Sequence, residues 1–277
     1  MSTVLASSPK RSGRRVLSMV LPPFIAFGVV IGLWYLSSWL QFDTGRRRAI
    51  SQPYPHDIVK VGFLTWRNLN EMLNSLYQTA WVSIVGLVFA MLLGVALAII
   101  MSMSQVVERT LYPYAIVLQT IPIVAITPLM IIWFGTNRMP RVLVCVLIAI
   151  FPIITNTLFG LKSSDRGQID LFRLHGAGRL RRLWKLDLPS SLPAMFTGFR
   201  ISAGLSVIGA IVGEFFFKAG DAGMGRRIGQ YTQRNETNKV VAAITLTALL
   251  GLTIFLFFGW LGNRATKHWR PEARAQR

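Results

Sequence analysis

Three stretches of this 277-residue chain carry residues whose types and spacing could do chemistry. The first is the charged segment 163–193, set between uncharged runs long enough to cross a membrane. Its apolar positions Leu171, Leu174, Leu180, Leu183, Trp184 and Leu188 fall mostly three or four apart on either side of Gly176-Ala177-Gly178. Two short amphipathic helices joined by a glycine break have that spacing, and such a pair predicts a docking surface. The second is the uncharged block 110–137, interrupted by Pro113, Pro122 and Pro128, with Gln119, Thr120 and Thr127 beside two of them. Proline in a spanning helix frees backbone carbonyls, which persist at that depth only where protein or a water-lined cavity satisfies them. Gln119, Thr120, Pro122 and Thr127 are therefore the expected lining of a pathway; a kink fixed for packing alone is the alternative. The third is the pair Arg200 and Glu214, the charges expected inside the membrane. Fourteen residues of helix hold them roughly 21 Å apart, so each needs its own partner or water. Arg200 is close enough to a helix end to reach the surface. For Glu214 two roles stay open, a gating or substrate contact and a structural hydrogen bond.

Other chemistries are excluded. No Gly-x-x-x-x-Gly-Lys-Ser/Thr loop occurs, so no nucleotide site of that type is carried here. No paired carboxylates or His-Cys constellation sits within a span, and no enzyme activity is expected. Cys145 is the single cysteine and His56, His175 and His268 are scattered, which leaves neither a disulfide nor a metal site. The formal net charge of +19 lies between the apolar blocks instead of along one aromatic-interleaved stripe, which points to topology and lipid contact and away from nucleic acid.

The elements that must position these residues follow from the apolar blocks. With 52% hydrophobic and 15% charged residues, the composition is that of an all-α, polytopic helical membrane protein. About six transmembrane helices are expected, near residues 16–40, 79–100, 110–137, 142–161, 194–217 and 240–263. Gly86, Ala90, Gly94, Ala96 and Ala98 should give the second span a small-residue packing face. The basic start could mimic a signal peptide, but the following apolar run is too long and lacks a small-residue cleavage site. The chain divides into a basic tail 1–15, a transmembrane region 16–263 containing a loop 162–193, and a basic tail 264–277. Placing the amino terminus inside puts 17 Lys and Arg on the inner segments and 12 on the outer ones, which favours cytoplasmic termini and a cytoplasmic loop 162–193.

The spacing from Gly176 to Leu188-Pro189 resembles the EAA loop of ATP-binding-cassette importer permeases, with Asp170-Leu171-Phe172 in place of Glu-Ala-Ala. Leu188-Pro189-Ser190-Ser191-Leu192-Pro193 with Gly198 and Arg200 resembles the nitrate, sulfonate and taurine branch. Ile121-Pro122, Thr127-Pro128-Leu129, Trp133-Phe134-Gly135, Phe151-Pro152-Ile153, Asn156-Thr157 and Gly223-Met224-Gly225 are similar to other wording of that branch, so the likeness spans residues 16–265. The run from Val207 to Glu214 looks closer to permeases for riboflavin or thiamine-pyrimidine precursors.

The resemblance implies a bacterial-type plasma-membrane permease that pairs, as a homodimer or with a similar permease. It further implies two cytoplasmic ATPase subunits and an extracellular or periplasmic substrate-binding protein. ATP and Mg would be held by the ATPase, with no cofactor on this chain. Asp170, Leu171, Leu174, Gly176, Ala177, Leu180, Leu188 and Pro189 would couple to the ATPase. The implied cargo is a small heterocyclic vitamin precursor, with sulfonate, taurine or nitrate as the alternative. An ion-coupled carrier or channel is the competing class, but such proteins usually show several mid-membrane ionisable groups or inverted repeats.

Overall fold

The computed structural model describes residues 12–41, 51–135, 137–217 and 220–267, which form helices and turns without a strand. Residues 1–11 and 268–277, most of the two expected tails, and Arg46-Arg47-Arg48 lie outside the described residues. In chain order the helices are α1 (Ser12–Gln41), α2 (Pro55–Ile58, continued by a π-helical turn Val59–Leu64), α3 (Trp66–Met103) and α4 (Gln105–Thr120). There follow α5 (Ile123–Phe134), α6 (Arg138–Lys162), α7 (Arg166–Leu174) and α8 (Arg179–Arg182, continued by a π-helical turn Leu183–Asp187). The last three are α9 (Leu188–Phe216), α10 (Met224–Gln233) and α11 (Thr237–Thr266). Among the described residues five helical stretches are long and apolar enough to cross a membrane, and six if the bent pair α4 and α5 is one span.

At the centre, α9 packs along α6 and also meets α3 and α11. Small residues set how closely these helices approach. On α3, Gly86, Ala90, Gly94 and Ala98 recur every four residues and are all buried, whereas Ala96 falls on the exposed side of the expected face. A Cβ at Gly209 of α9 would stand 2.8 Å from the Cα of Cys145, and one at Gly198 would stand 2.9 Å from the Pro152 carbonyl oxygen. Such proximity replaces hydrophobic driving force, which lipid does not supply between helices, with van der Waals packing. Cys145 is a buried packing residue at this crossing. Ser202 adds a bond between the helices, its hydroxyl donating to the Ala149 carbonyl at 2.6 Å.

Three boundaries differ from the sequence expectation. The second span begins at Trp66 and not near residue 79, because Arg67 and Glu71 belong to a 38-residue helix that at about 1.5 Å per residue outruns the bilayer core. Its connection to α4 is Ser104 alone, where the expected spans leave residues 101–109 between them. The third block is two helices bent by 98°. Only Pro122 breaks it: Ile121 and Pro122 are both extended, as expected for a residue forced out of the α region by a following proline. Pro113 and Pro128 remain inside helices. The turn after α5 is made by Gly135 at a φ of +69°, and Arg138 and Arg141 lie in the first turn of α6.

Candidate functional site

The segment expected to form a docking surface folds as two short helices meeting at one glycine. Asp165 caps α7, its carboxylate accepting from the Gly167 N–H at 3.3 Å. At the other end Gly176, at φ +61°, donates to the Arg173 carbonyl at 3.0 Å while Ala177 donates to Phe172 at 3.0 Å. That pair of bonds is a Schellman stop, which needs a left-handed residue where glycine has no Cβ penalty. None of α7 is buried. Leu171 is 54% exposed and Leu174 85%, with Leu180 and Trp184 exposed beyond the turn, so this face is apolar and uncovered within the chain. Leu171, Phe172, His175, Ala177, Arg181 and Lys185 line a groove of about 310 Å³. Asp170 is exposed beside Arg173 at 3.4 Å, and Leu188 and Pro189 sit half-buried at the start of α9.

The foot of this segment is fixed by a residue that the spacing argument passed over. The carboxylate of Asp187 is almost fully buried and accepts from Arg182 Nε and from Ser164 Oγ, both at 3.0 Å. Lys162 at the end of α6 pairs with Glu108 in the first turn of α4. The two docking helices thus rise from an anchored base while their tips stay open.

At the bent third span, Gln119, Thr120 and Pro122 are exposed at the elbow. Thr127 lies one turn into α5 and is 3% exposed, its hydroxyl donating to the Ile123 carbonyl at 3.1 Å. The structure therefore brings three of these four residues to one open elbow and turns Thr127 inward.

Glu214 sits at the opposite end of α9 from the docking helices and is fully enclosed by the chain itself. Its Oε2 accepts from the Thr79 hydroxyl at 2.8 Å and from the Gly225 N–H at 3.0 Å. Thr79 Oγ1 in turn accepts from the Met224 N–H at 2.8 Å. One carboxylate and one hydroxyl thereby hold the first amides of α10, which have no intrahelical partner. Gly223 and Gly225 are glycines for space and not for turning, since a Cβ at either would overlap the Glu214 side chain or the Ile211 carbonyl. The turn belongs to Gly220, at φ +78°.

A second charge joins this node. Arg141 is 2% exposed, donates to the Asp221 carbonyl at 3.2 Å and attracts Glu214 electrostatically. This corrects the expectation that Arg200 and Glu214 are the sole charges held within the helices. Arg200 is exposed and lies 4.0 Å over the Phe255 ring. Farther along α10, Arg227 pairs with Glu71 at 2.5 Å and donates to Ser75 Oγ at 3.1 Å. Burial first, and then the Glu71 carboxylate, push the Tyr231 phenol up to about 12, so it stays neutral on the buried face of α10. A sequence signal for this node existed in Gly213 and Gly223-Met224-Gly225, but glycine spacing does not name the atoms it makes room for.

Residues 86–267 match the family described as "Binding-protein-dependent transport system inner membrane component", and the chain belongs to it. It is 35% identical over 251 residues to the formylaminopyrimidine transport permease protein ThiX of Halalkalibacterium halodurans, covering 88% of this chain and 94% of that one. It is 29% identical over 268 residues to the putative aliphatic sulfonates transport permease protein SsuC of Bacillus subtilis, covering 94% and 91%. To the riboflavin transport system permease protein RibX of Chloroflexus aurantiacus the identity is 36% over 165 residues, covering 60% of each. The fold is that of the MetNI methionine ABC transporter in an inward-facing form, with a TM-score of 0.64 at 16% identity over 73% of this chain and 99% of that one. The chain is a multi-pass inner-membrane permease subunit of the ABC importer class.

Proposed function

We propose that this permease forms the pathway for a small heterocyclic vitamin precursor, of the kind represented by a thiamine pyrimidine or riboflavin. The observation that carries this is the likeness to the formylaminopyrimidine permease across nearly the whole of both chains. The B. subtilis sulfonate relative, matched over an even larger share of this chain, supports sulfonate, taurine or nitrate as the second reading. Two copies pair to enclose one pathway, with the elbow at Gln119, Thr120 and Pro122 facing it and Thr127 buried behind it.

Each copy presents α7 and α8 to one of two ATPase subunits, which hold ATP and Mg. Leu171, Leu174, Gly176, Ala177 and Leu180 make the contact, Asp170 flanks it, and Leu188 and Pro189 pass the motion into α9. The apolar side chains exposed there fit burial against a partner, since each would stabilise contact by removing apolar area from water. Closure of the ATPases then moves the docking helices as rigid levers and switches the pathway between its openings. Both termini and the docking helices are cytoplasmic, and the Glu214 end faces the binding protein. Glu214 acts in this scheme by holding α10 over the mouth.

Reconstitution with the cognate ATPase and binding protein tests the assignment. ATP-dependent uptake of a formylaminopyrimidine or riboflavin is expected, with no uptake when the ATPase is omitted. Uptake that persists without the ATPase would make the chain a carrier, and uptake of taurine in place of ring compounds would establish the second reading.

A further inference from the structure

Beside the Glu214 node, between the end of α9 and one face of α10, lies a cavity of about 380 Å³ whose lining has a defined chemistry. Arg226, Gly229, Gln230 and Gln233 are spaced i, i+3, i+4 and i+7, so they form one stripe of α10, and Phe215 and Phe216 face it from α9. The two rings stand edge to face, 5.8 Å apart at 66°, and are 49% and 37% exposed. Gly225 and Gly229 leave part of the floor as bare backbone, and a Cβ at Gly229 would already stand 3.4 Å from the Phe215 ring. The polar groups are two amides and one guanidinium. Arg227 donates to Gln230 Oε1 at 3.3 Å, which leaves the Gln230 amide nitrogen as the group with donors to offer. Gln233, exposed at the rim, can donate or accept. Arg226 donates to the Gly220 carbonyl at 3.0 Å, so its positive charge is tied to the rim.

The geometry points to this cavity as a subsite for a planar heterocycle carrying ring nitrogens and carbonyl or amino substituents, at the mouth of the pathway. Flat faces would stack on the phenylalanine rings, which is sequence-tolerant attraction available to any π-face. Ring acceptors would take the Gln230 amide, mixed donor and acceptor edges would meet Gln233, and electron-rich carbonyls would turn toward Arg226. The volume lies within the range of small-molecule sites. A sulfonate or nitrate offers acceptors alone and would leave both aromatic walls unused. The floor is held rigid, because the Gly225 N–H is fixed to Glu214 beneath it. The subsite rests on the heterocycle reading of the pathway and narrows it to named contacts.

Two measurements separate the subsite from that reading. In the first, the complete importer is tested in proteoliposomes for uptake of a formylaminopyrimidine and of riboflavin, with taurine as the ringless control. In the second, riboflavin fluorescence is titrated with the permease–ATPase complex in nanodiscs without the binding protein, for wild type, Phe215→Leu, Gln233→Ala and Gly229→Leu. Phe215→Leu keeps apolar bulk but loses the ring, and Gly229→Leu fills the cavity from its floor. The subsite predicts quenching by wild type and a weakening of about fivefold or more in Phe215→Leu, of the order that loss of one stacking partner gives. A smaller loss is expected for Gln233→Ala and no saturable quenching for Gly229→Leu, with the size of the complex unchanged in all three. Wild type that takes up neither ring compound overturns the heterocycle reading and the subsite together. Wild type that takes up a ring compound while the three variants bind riboflavin as it does overturns the subsite alone. Variants that change the size of the complex instead of riboflavin affinity make the cavity a seam between subunits and overturn the subsite as well.

Discussion

The two ends of α9 are built on opposite plans. At the Glu214 end, charged and polar groups from four elements are enclosed by the chain and held together through Glu214 Oε2 and Thr79 Oγ1: Thr79 from α3, Arg141 from α6, Glu214 from α9 and the first amides of α10. At the docking end, α7 buries nothing, and leucines stand exposed around a glycine-stopped turn. A buried carboxylate is tolerated only where hydrogen bonds or counter-charge replace its hydration, and the first end draws these from its own chain. An exposed apolar face of this kind marks an interaction site, so the second end is the one proposed to be finished on assembly. One end of the helix is therefore part of the fold, and the other carries the apolar face proposed above to meet the ATPase.

The largest effect is expected from breaking the enclosed end. Glu214→Ala removes the acceptor shared by Thr79 and Gly225 and leaves Arg141 without its nearby carboxylate. Losing one partner of a buried charged cluster costs about 3–5 kcal/mol. Thermal unfolding in detergent should show that loss together with failure to assemble. Glu214→Gln retains an amide oxygen for the Gly225 N–H and should assemble with a milder deficit. Normal assembly of both variants with transport abolished in both would instead give the charge itself a gating role and dissolve the contrast between the two ends.

Gly176→Val strikes the other end. The left-handed backbone there costs a residue with a Cβ roughly 1–2 kcal/mol, confined to a turn that buries nothing. Membrane insertion and thermal stability should survive, while stimulation of the partner ATPase by loaded binding protein falls. An unchanged ATPase response would remove the docking role from this turn. A finer cut is Leu174→Ala, at an exposed position, which should alter stability by less than about 0.5 kcal/mol yet weaken ATPase association, as read by co-purification. Equal co-purification would mean that this leucine faces lipid or water in the assembled complex.

The elbow provides the mildest probe, because cysteine there need not disturb folding. In a Cys145→Ala background, Gln119→Cys and Thr120→Cys should react readily with a small water-soluble thiol reagent, and bound substrate should slow them. Thr127→Cys should react much more slowly, since Thr127 is enclosed and bonded to its own helix. Equal reactivity at all three would require the elbow to open, and uniform inertness would assign it to packing.

Much of this was legible in the residues because it is locally encoded. Long uncharged runs predict spanning helices, and the four-residue recurrence of Gly86, Ala90, Gly94 and Ala98 marks a packing face with no knowledge of what packs there. Gly176 between two amphipathic stretches already predicts where they turn, since a Schellman stop depends on bonds within a few residues. The elbow was half legible. Three prolines announce interruption, yet only Pro122 ends a helix, and the 98° bend that exposes Gln119 and Thr120 while burying Thr127 depends on how α4 and α5 each pack against α6.

The Glu214 node marks where sequence reading stops. The chain by itself determined a polytopic helical fold, a glycine-broken pair of amphipathic helices between the fourth and fifth spans, and an acidic residue whose burial demands a partner. It did not determine the partner: Thr79 lies 135 residues away from Glu214, at the edge of an apolar run where a lone threonine carries no distinguishing pattern. Arg141 reads as a loop charge beside a turn, and only the packing of α6 against α9 at Gly213 draws it inward. Helix formation and capping are settled by bonds between near neighbours, so sequence specifies them. The pairing of buried charges depends on which helices cross and how closely, and that was decided by the tertiary structure alone.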